Sequence, residues 1–147
     1  MSLESGCFLY RSRTALNARS SDFQAILIAA RRRNQEFGLT GYLHYEDGHF
    51  YQWLEGPAEA LAQVAALVEA DPRHTHIEYL WRGTQARRQF AGWDMGYGSS
   101  APGTLFDWVA EREVHVSDRA EFARAVLGFM LEMSGYGAAT KAATSDS

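Results

Sequence analysis

Tyr10, Asn34 and Gln52 are the residues of this chain whose chemistry is hardest to assign to simple packing. Gln52 stands in Phe50-Tyr51-Gln52-Trp53-Leu54-Glu55-Gly56, a run rich in strand-forming aromatics that stops at Gly56-Pro57. Alternate side chains of a strand face opposite ways. Phe50, Gln52 and Leu54 therefore share one face, and His49, Tyr51, Trp53 and Glu55 share the other. A primary amide, with two donors and one carbonyl acceptor, is thus set between apolar neighbours. Burying it without partners costs about 1–3 kcal/mol, so either that face is wet or a polar group stands opposite. Tyr10 alternates with Phe8 and Ser12 on a first strand, Cys7 to Arg13. Asn34 falls on the apolar stripe of a helix marked by Phe23, Ile26, Leu27, Ala30 and Phe37. Each has a plainer account by itself: a core tyrosine bonded to backbone, a helix-end cap, a solvated strand glutamine with Tyr51 and Trp53 as the buried face. Together they are three hydrogen-bonding groups able to converge on one planar, polar-edged object.

Other chemistry has less support. No Gly-x-Gly-x-x-Gly dinucleotide fingerprint, phosphate-binding P-loop or His-Glu-x-x-His helix occurs. His44 and His49 flank a turn and read as surface histidines rather than a metal pair, and His74 and His76 as loop residues. Glu55 and Asp71 have no evident partner carboxylate. Nothing resembles a nucleophile, base and orienter set, and no metal site is expected. Cys7 is the sole cysteine, which excludes an internal disulfide and a cysteine-built zinc cluster.

The elements that must position the three polar residues follow from pattern. With 147 residues, 46% of them hydrophobic, the chain suits one globular domain. The net charge of −4 argues against a sequence-independent grip on nucleic acid, and Arg31-Arg32-Arg33 is the only basic run. No stretch approaches 18 apolar residues and no signal-peptide core appears, so a cytoplasmic protein without membrane contact is expected. Ser21 to Gln24 fits a capping box opening the first helix, and Gly38 closes it. Thr40 to Glu46 is a second strand, Asp47-Gly48 a hairpin turn, and the aromatic run a third strand. Pro57 opens a second helix with the stripe Leu61, Val64, Ala65 and Val68. Asp71-Pro72-Arg73-His74 breaks it. Ile77 to Trp81 is a fourth strand, and Phe90 to Tyr97 suggests a fifth. The order β-α-β-β-α-β plus a strand is α+β and ferredoxin-like, with the first and third strands adjacent at the sheet centre and both helices on one face. A short helix from Leu105 to Arg112 and a longer one carrying Phe122, Val126, Phe129, Met130 and Met133 are expected on the other face. Small polar residues after Ala138 suggest a flexible tail.

Leu9-Tyr10-Arg11-Ser12, Arg33-Asn34, Leu39-Thr40-Gly41, the aromatic run, Asp71-Pro72-Arg73-His74 and Gly92-Trp93-Asp94-Met95 together resemble the BLUF domains, blue-light sensors that use FAD. The resemblance spans about residues 7 to 98, in order and with matching spacing. It implies domains at 1–98 (flavin-binding), 99–137 (helical extension) and 138–147 (tail), with no attached output domain. It implies a flavin ring between the two helices: FAD, with FMN as the alternative. Tyr10 would be the electron donor, Gln52 would lie between Tyr10 and the N5/O4 edge, and Asn34 would hold the O4/N3 edge. Ile26 and Val68 would flank the ring and Phe50 pack near it. Trp93 and Met95 match a last-strand pair thought to respond to Gln52. Arg33, Arg73 and His74 are candidates for the second ring carbonyl or the phosphates. Leu67 stands where some relatives carry a basic residue. The function implied is light sensing rather than enzymatic turnover. Its output would run through the last strand and C-terminal helices to a protein partner in trans or a second copy of the chain. A flavin reductase or a flavin-free ligand- or protein-binding module are the rivals.

Overall fold

The structure, a computed structural model, describes residues 5–16, 21–91, 96–97 and 104–145. Its elements are β1 (Ser5–Arg13), α1 (Ser21–Phe37), β2 (Thr40–Glu46), β3 (His49–Gly56), α2 (Ala58–Ala70), β4 (Thr75–Gln85), β5 (Gly96–Tyr97), α3 (Leu105–Glu111) and α4 (Arg119–Ser145). The sheet order is β4-β1-β3-β2-β5. The first four are antiparallel, and β5 runs parallel beside β2. This is the ferredoxin-like α+β architecture expected, with β1 and β3 central.

Neither face of the central strands β1 and β3 is wet. Toward α1 and α2, Phe8, Tyr10, Leu43, Phe50 and Leu54 pack with Phe23, Leu27 and Ala30 of α1 and Leu61, Val64 and Val68 of α2. Toward α3 and α4, Leu9, Tyr42, Trp53 and Leu80 pack with Leu105, Phe122, Val126, Phe129 and Met130. Two buried faces explain why the aromatic run is apolar at nearly every position instead of alternating. Burying such side chains contributes roughly 1.5–3 kcal/mol each before chain entropy is opposed.

Local chemistry sets the turns. Gly38 takes φ 69°, and the Leu39 amide donates to the Asn34 carbonyl at 2.8 Å, the long closing bond of a glycine-terminated helix. Asp47 and Gly48 both have positive φ, as the expected hairpin turn demands.

Several boundaries differ from expectation. β4 is eleven residues long rather than spanning only 77–81, because β1 offers partners from Ser5↔Gln85 to Arg13↔Thr75. The fifth strand does not start at Phe90. Among the described residues it is Gly96–Tyr97, because the Phe90 amide donates to the Glu55 carboxylate instead of a strand. Trp93 and Met95 lie outside the described residues. α4 runs to Ser145, into the stretch expected as a tail, where Ala138, Ala139, Ala142 and Ala143 favour helix. No helix among the described residues is long and apolar enough to cross a membrane.

The C-terminal helices are tied to the β2–β3 hairpin. Glu46 accepts the Leu105 and Phe106 amides at 2.7 and 3.0 Å, and His44 Nε2 lies 2.9 Å from the same carboxylate. His44 is buried, not on the surface, with its ring 4.7 Å from that of Phe129 in an edge-on contact. Glu46→Ala strips the first turn of α3 of its acceptor. It is expected to cost about 1–2 kcal/mol, read as a lower denaturation midpoint with faster amide exchange at Leu105 and Phe106.

Burial holds the His44 imidazole below its ordinary value, against the opposing pull of Glu46. As pH falls, the unfolded chain then takes up the proton first. Stability is therefore full above about pH 6.5 and drains away as pH drops toward the folded pKa of His44. Replacing His44 with Gln is expected to flatten that limb of a stability-versus-pH profile. An unchanged slope would assign it to other groups.

Candidate functional site

A cleft opens between α1 and α2 above the centre of the sheet. One wall is α1, through Ile26, Ala29, Ala30 and Arg33. The other includes Val68 of α2, with Asp71, Arg73 and His74 of the segment leading to β4. The floor is Tyr10 of β1, Phe50 and Gln52 of β3, and Leu43 of β2.

Register builds the floor. Tyr10 stands directly opposite Gln52 in the β1–β3 ladder, and Leu43 stands opposite Gln52 in the β2–β3 ladder. The Tyr10 hydroxyl donates to Gln52 Oε1. The polar group required opposite the glutamine is therefore the tyrosine one strand away. Both residues are buried, at 3% and 4% exposure, so this bond is sheltered from competing water. Burial drives the Tyr10 phenol well above its ordinary pKa, opposed by the charge of Arg33. Its proton is thus firmly held at rest. Because Tyr10 occupies the carbonyl end, the amide is polarised across the cleft floor.

The cationic side chains divide by role. Arg33 is half-buried, and its Nε is buried with no hydrogen-bond partner among the described residues. Burial lowers its pKa, while Tyr10 and Asp71 act the other way. Arg73, exposed at the cleft mouth, is held by Asp71 through Nε to Oδ1 at 3.0 Å and a second guanidinium nitrogen to Oδ2 at 2.8 Å. That hydrogen bonding holds the Asp71 carboxyl below its ordinary value. His74 has both ring nitrogens engaged. Nε2 lies 2.8 Å from the Val68 carbonyl, which only accepts, so Nε2 carries the hydrogen. In the neutral ring Nδ1 then accepts from the Ser12 hydroxyl at 2.7 Å. His74 thus pins the end of α2 to β1 rather than offering a donor to a ligand.

Of the nine residues named for a cofactor, the cleft gathers all but Asn34. Asn34 is fully buried near the end of α1, next to Arg33 but not lining the cleft. Sequence reasoning missed Leu43 and Asp71. The alternation of β2 places Leu43 on the helix-facing side, and Asp71 stands two residues before an arginine, the spacing of a local ion pair.

It also missed Glu55, the most heavily bonded buried carboxylate among the described residues. At 0% exposure its Oε1 accepts from Trp53 Nε1 at 2.9 Å, Gln85 Nε2 at 2.9 Å and the Gln89 amide at 2.8 Å. Its Oε2 accepts from Thr40 Oγ1 at 2.7 Å and the Phe90 amide at 2.8 Å. The position just before Gly56-Pro57, next on its face to a tryptophan with an N–H to place, was the only signal.

Comparison with known proteins identifies the family. The family model described as sensors of blue light using FAD matches residues 6–96. The blue light- and temperature-regulated antirepressor BluF of Escherichia coli (strain K12) is 35% identical over 81 residues, covering 54% of this chain and 20% of that protein. Photoactivated adenylate cyclase subunit beta of Euglena longa is 43% identical over 56 residues, 38% of this chain and 6% of that one. The chain therefore spans only a small part of these curated relatives. The dark-state structure of BlrB, a BLUF protein, superposes with a TM-score of 0.66 at 31% identity, covering 85% of this chain and 96% of that chain. A cleft floored by a Tyr–Gln pair, the family match and a likeness along almost the whole of BlrB lead to one assignment: the chain belongs to the BLUF family of flavin-using blue-light sensors.

Proposed function

We propose that the cleft between α1 and α2 holds the isoalloxazine ring of FAD, and that the Tyr10–Gln52 pair is the light-responsive switch. The observation that carries this is the hydrogen bond from the Tyr10 hydroxyl to Gln52 Oε1 on the cleft floor. The residues present suit a flavin. Ile26 and Val68 offer aliphatic walls to the flat faces of a ring. The buried Nε–H of Arg33, without a partner among the described residues, suits a ring carbonyl. Arg73 at the mouth suits the phosphates, with FMN as the alternative ligand. Asn34, buried beside Arg33, is the remaining candidate for the carbonyl edge.

A bound flavin supplies absorption of blue light and a ring that accepts an electron. The protein supplies the proton and its direction. Tyr10 holds its proton at rest, hydrogen-bonded to the Gln52 carbonyl. Loss of an electron acidifies a phenol, and Gln52 Oε1 is the acceptor in place for that proton. An amide is unlike at its two ends. Turning it, or converting it to its imidic tautomer, exchanges donor for acceptor on both the Tyr10 side and the cleft side. The rearranged state differs from the resting one by hydrogen bonds at Tyr10 and within the cleft, and those differences set how far light shifts the equilibrium. From Gln52 the change passes to Leu43, its partner on β2, and to β5 alongside. It is then read at the C-terminal helices by a protein partner in trans, with Trp93 and Met95 as candidate relays. In this role the chain senses and signals rather than turning over a substrate.

The direct test is an absorption spectrum of the purified protein before and after blue light. A yellow protein with a small, reversible red shift is expected, and a colourless or light-inert protein overturns the proposal. Gln52→Leu keeps side-chain bulk but removes the donor–acceptor asymmetry. It is expected to retain flavin and lose the reversible red shift, and a normal slowly reverting shift would remove Gln52 from the mechanism.

Tyr10→Phe leaves the Gln52 carbonyl without its buried donor, at a cost of about 1–3 kcal/mol. The variant is expected to fold, bind flavin and lose the photocycle. Wild-type photoproduct yield in that variant would transfer electron donation to another residue, with Trp93 the next to test.

A further inference from the structure

Glu55 sits three residues beyond Gln52 on β3, on the opposite face of the sheet. Burying a carboxylate is unfavourable unless it is fully hydrogen-bonded, and Glu55 meets that demand with five donors. Two of the five set it apart from a local tether. The Gln89 and Phe90 amides are main-chain donors from beyond the end of β4, held to the sheet by one side chain. Arg88 of the same segment donates to the Gly38 carbonyl at 2.7 Å, which anchors it to the end of α1. Phe90, 1% exposed, then stacks on Tyr42 with ring centroids 5.5 Å apart.

This places Phe90 against the row of residues next to the one that carries the switch. Tyr42 of β2 pairs with Trp53 of β3 on one side and Gly96 of β5 on the other. The next row is Gln52, Leu43 and Tyr97. Phe90 therefore packs on the β2 residue adjacent to Leu43, the partner of Gln52. We infer that Glu55 is a positioning residue for the light response: by holding the Gln89 and Phe90 amides it fixes Phe90 against Tyr42 of β2, and so the packing against which the Gln52 network rearranges. This rests on the flavin photoreceptor assignment proposed above and adds a residue acting from the other face of the sheet.

Glu55→Gln is the incisive variant. A carboxamide keeps the size and offers one oxygen in place of two. With its carbonyl toward Trp53 Nε1, Gln85 and Gln89, its NH₂ faces Thr40, whose hydroxyl can turn to accept, and the Phe90 N–H, which cannot. The variant thus loses the Phe90 bond selectively. Leu80→Ala, in the same outer core but with no hydrogen bond to Glu55, serves as the control for simple destabilisation. The measurement is the rate of thermal return of the red-shifted state in flavin-loaded full-length protein, alongside the dark spectrum and Tm. Glu55→Gln is expected to bind flavin and to recover about tenfold faster than wild type, while Leu80→Ala recovers at nearly the wild-type rate despite its lower Tm. Equal recovery in Glu55→Gln and wild type, or an equal acceleration in both variants, overturns the inference and leaves Glu55 a structural clamp. If wild type itself shows no reversible shift, the photoreceptor assignment fails instead. Amide exchange on wild-type protein in the dark provides a test independent of the folding of any variant. Gln89 and Phe90 are expected to be protected like the centre of β3, and exchange at free-loop rates overturns the anchor.

Discussion

The hydrogen bond between the Tyr10 hydroxyl and Gln52 Oε1 is the interaction around which the fold is arranged. It requires two polar side chains to be buried, directly opposite each other, on the central pair of strands. A slip of one residue in the β1–β3 register would turn Gln52 to the other face and leave each partner buried alone. The register is held by apolar packing above and below it. Phe8, Phe50 and Leu54 pack under the first two helices, and Leu9 and Trp53 under the last two. Two covered faces thus fix the single alignment in which the polar pair is satisfied.

The same covering explains the site's electrostatics. A phenol under α1 and α2 is desolvated, so its resting proton stays in place. An imidazole under α3 and α4 is desolvated too, and it favours the neutral form. In each case a polar neighbour on the next strand or the same strand provides a bond: Gln52 for Tyr10, Glu46 for His44. The sheet is therefore a double-sided layer of buried polar contacts. One side floors the cleft between α1 and α2, and the other joins the hairpin to the C-terminal helices.

Much of this was legible in the sequence because period and punctuation agree. The stripes of the first two helices, the Asp47-Gly48 turn and Gly38 placed β1, α1, β2, β3 and α2 nearly as found. The puzzle of a glutamine between Phe50 and Leu54 led to Tyr10 because both fall on the same face of neighbouring strands. What was not legible depended on distant partners. Nothing local shows that His44 is buried, since its cover comes from Phe129, far along the chain. Nothing local shows that His74 is committed at both nitrogens, since Ser12 and the Val68 carbonyl are supplied by other elements. The start of the fifth strand was misplaced because Phe90 looks like a strand residue. Its amide is taken by a side chain, which no alternation pattern records.

Glu55 shows why such residues escape pattern. Strand periodicity assigns it to the face opposite Gln52 and would treat it as a solvated acid, the usual fate of a glutamate. The structure buries it completely, and the energetic consequence is sharp: a desolvated carboxylate is tolerable only while its donors stay in place. Those donors come from β2, β3, β4 and the segment after β4. No one of these elements can move away without leaving the charge under-bonded. Apolar contacts between the same elements would tolerate sliding, because dispersion and the hydrophobic effect have little directional preference. A buried carboxylate with five directional bonds does not. The third strand therefore carries the amide of Gln52 on one face and a five-bonded carboxylate anchor on the other, three residues apart. For the switch proposed at Gln52, that anchor is the frame against which a rearrangement of the amide acts.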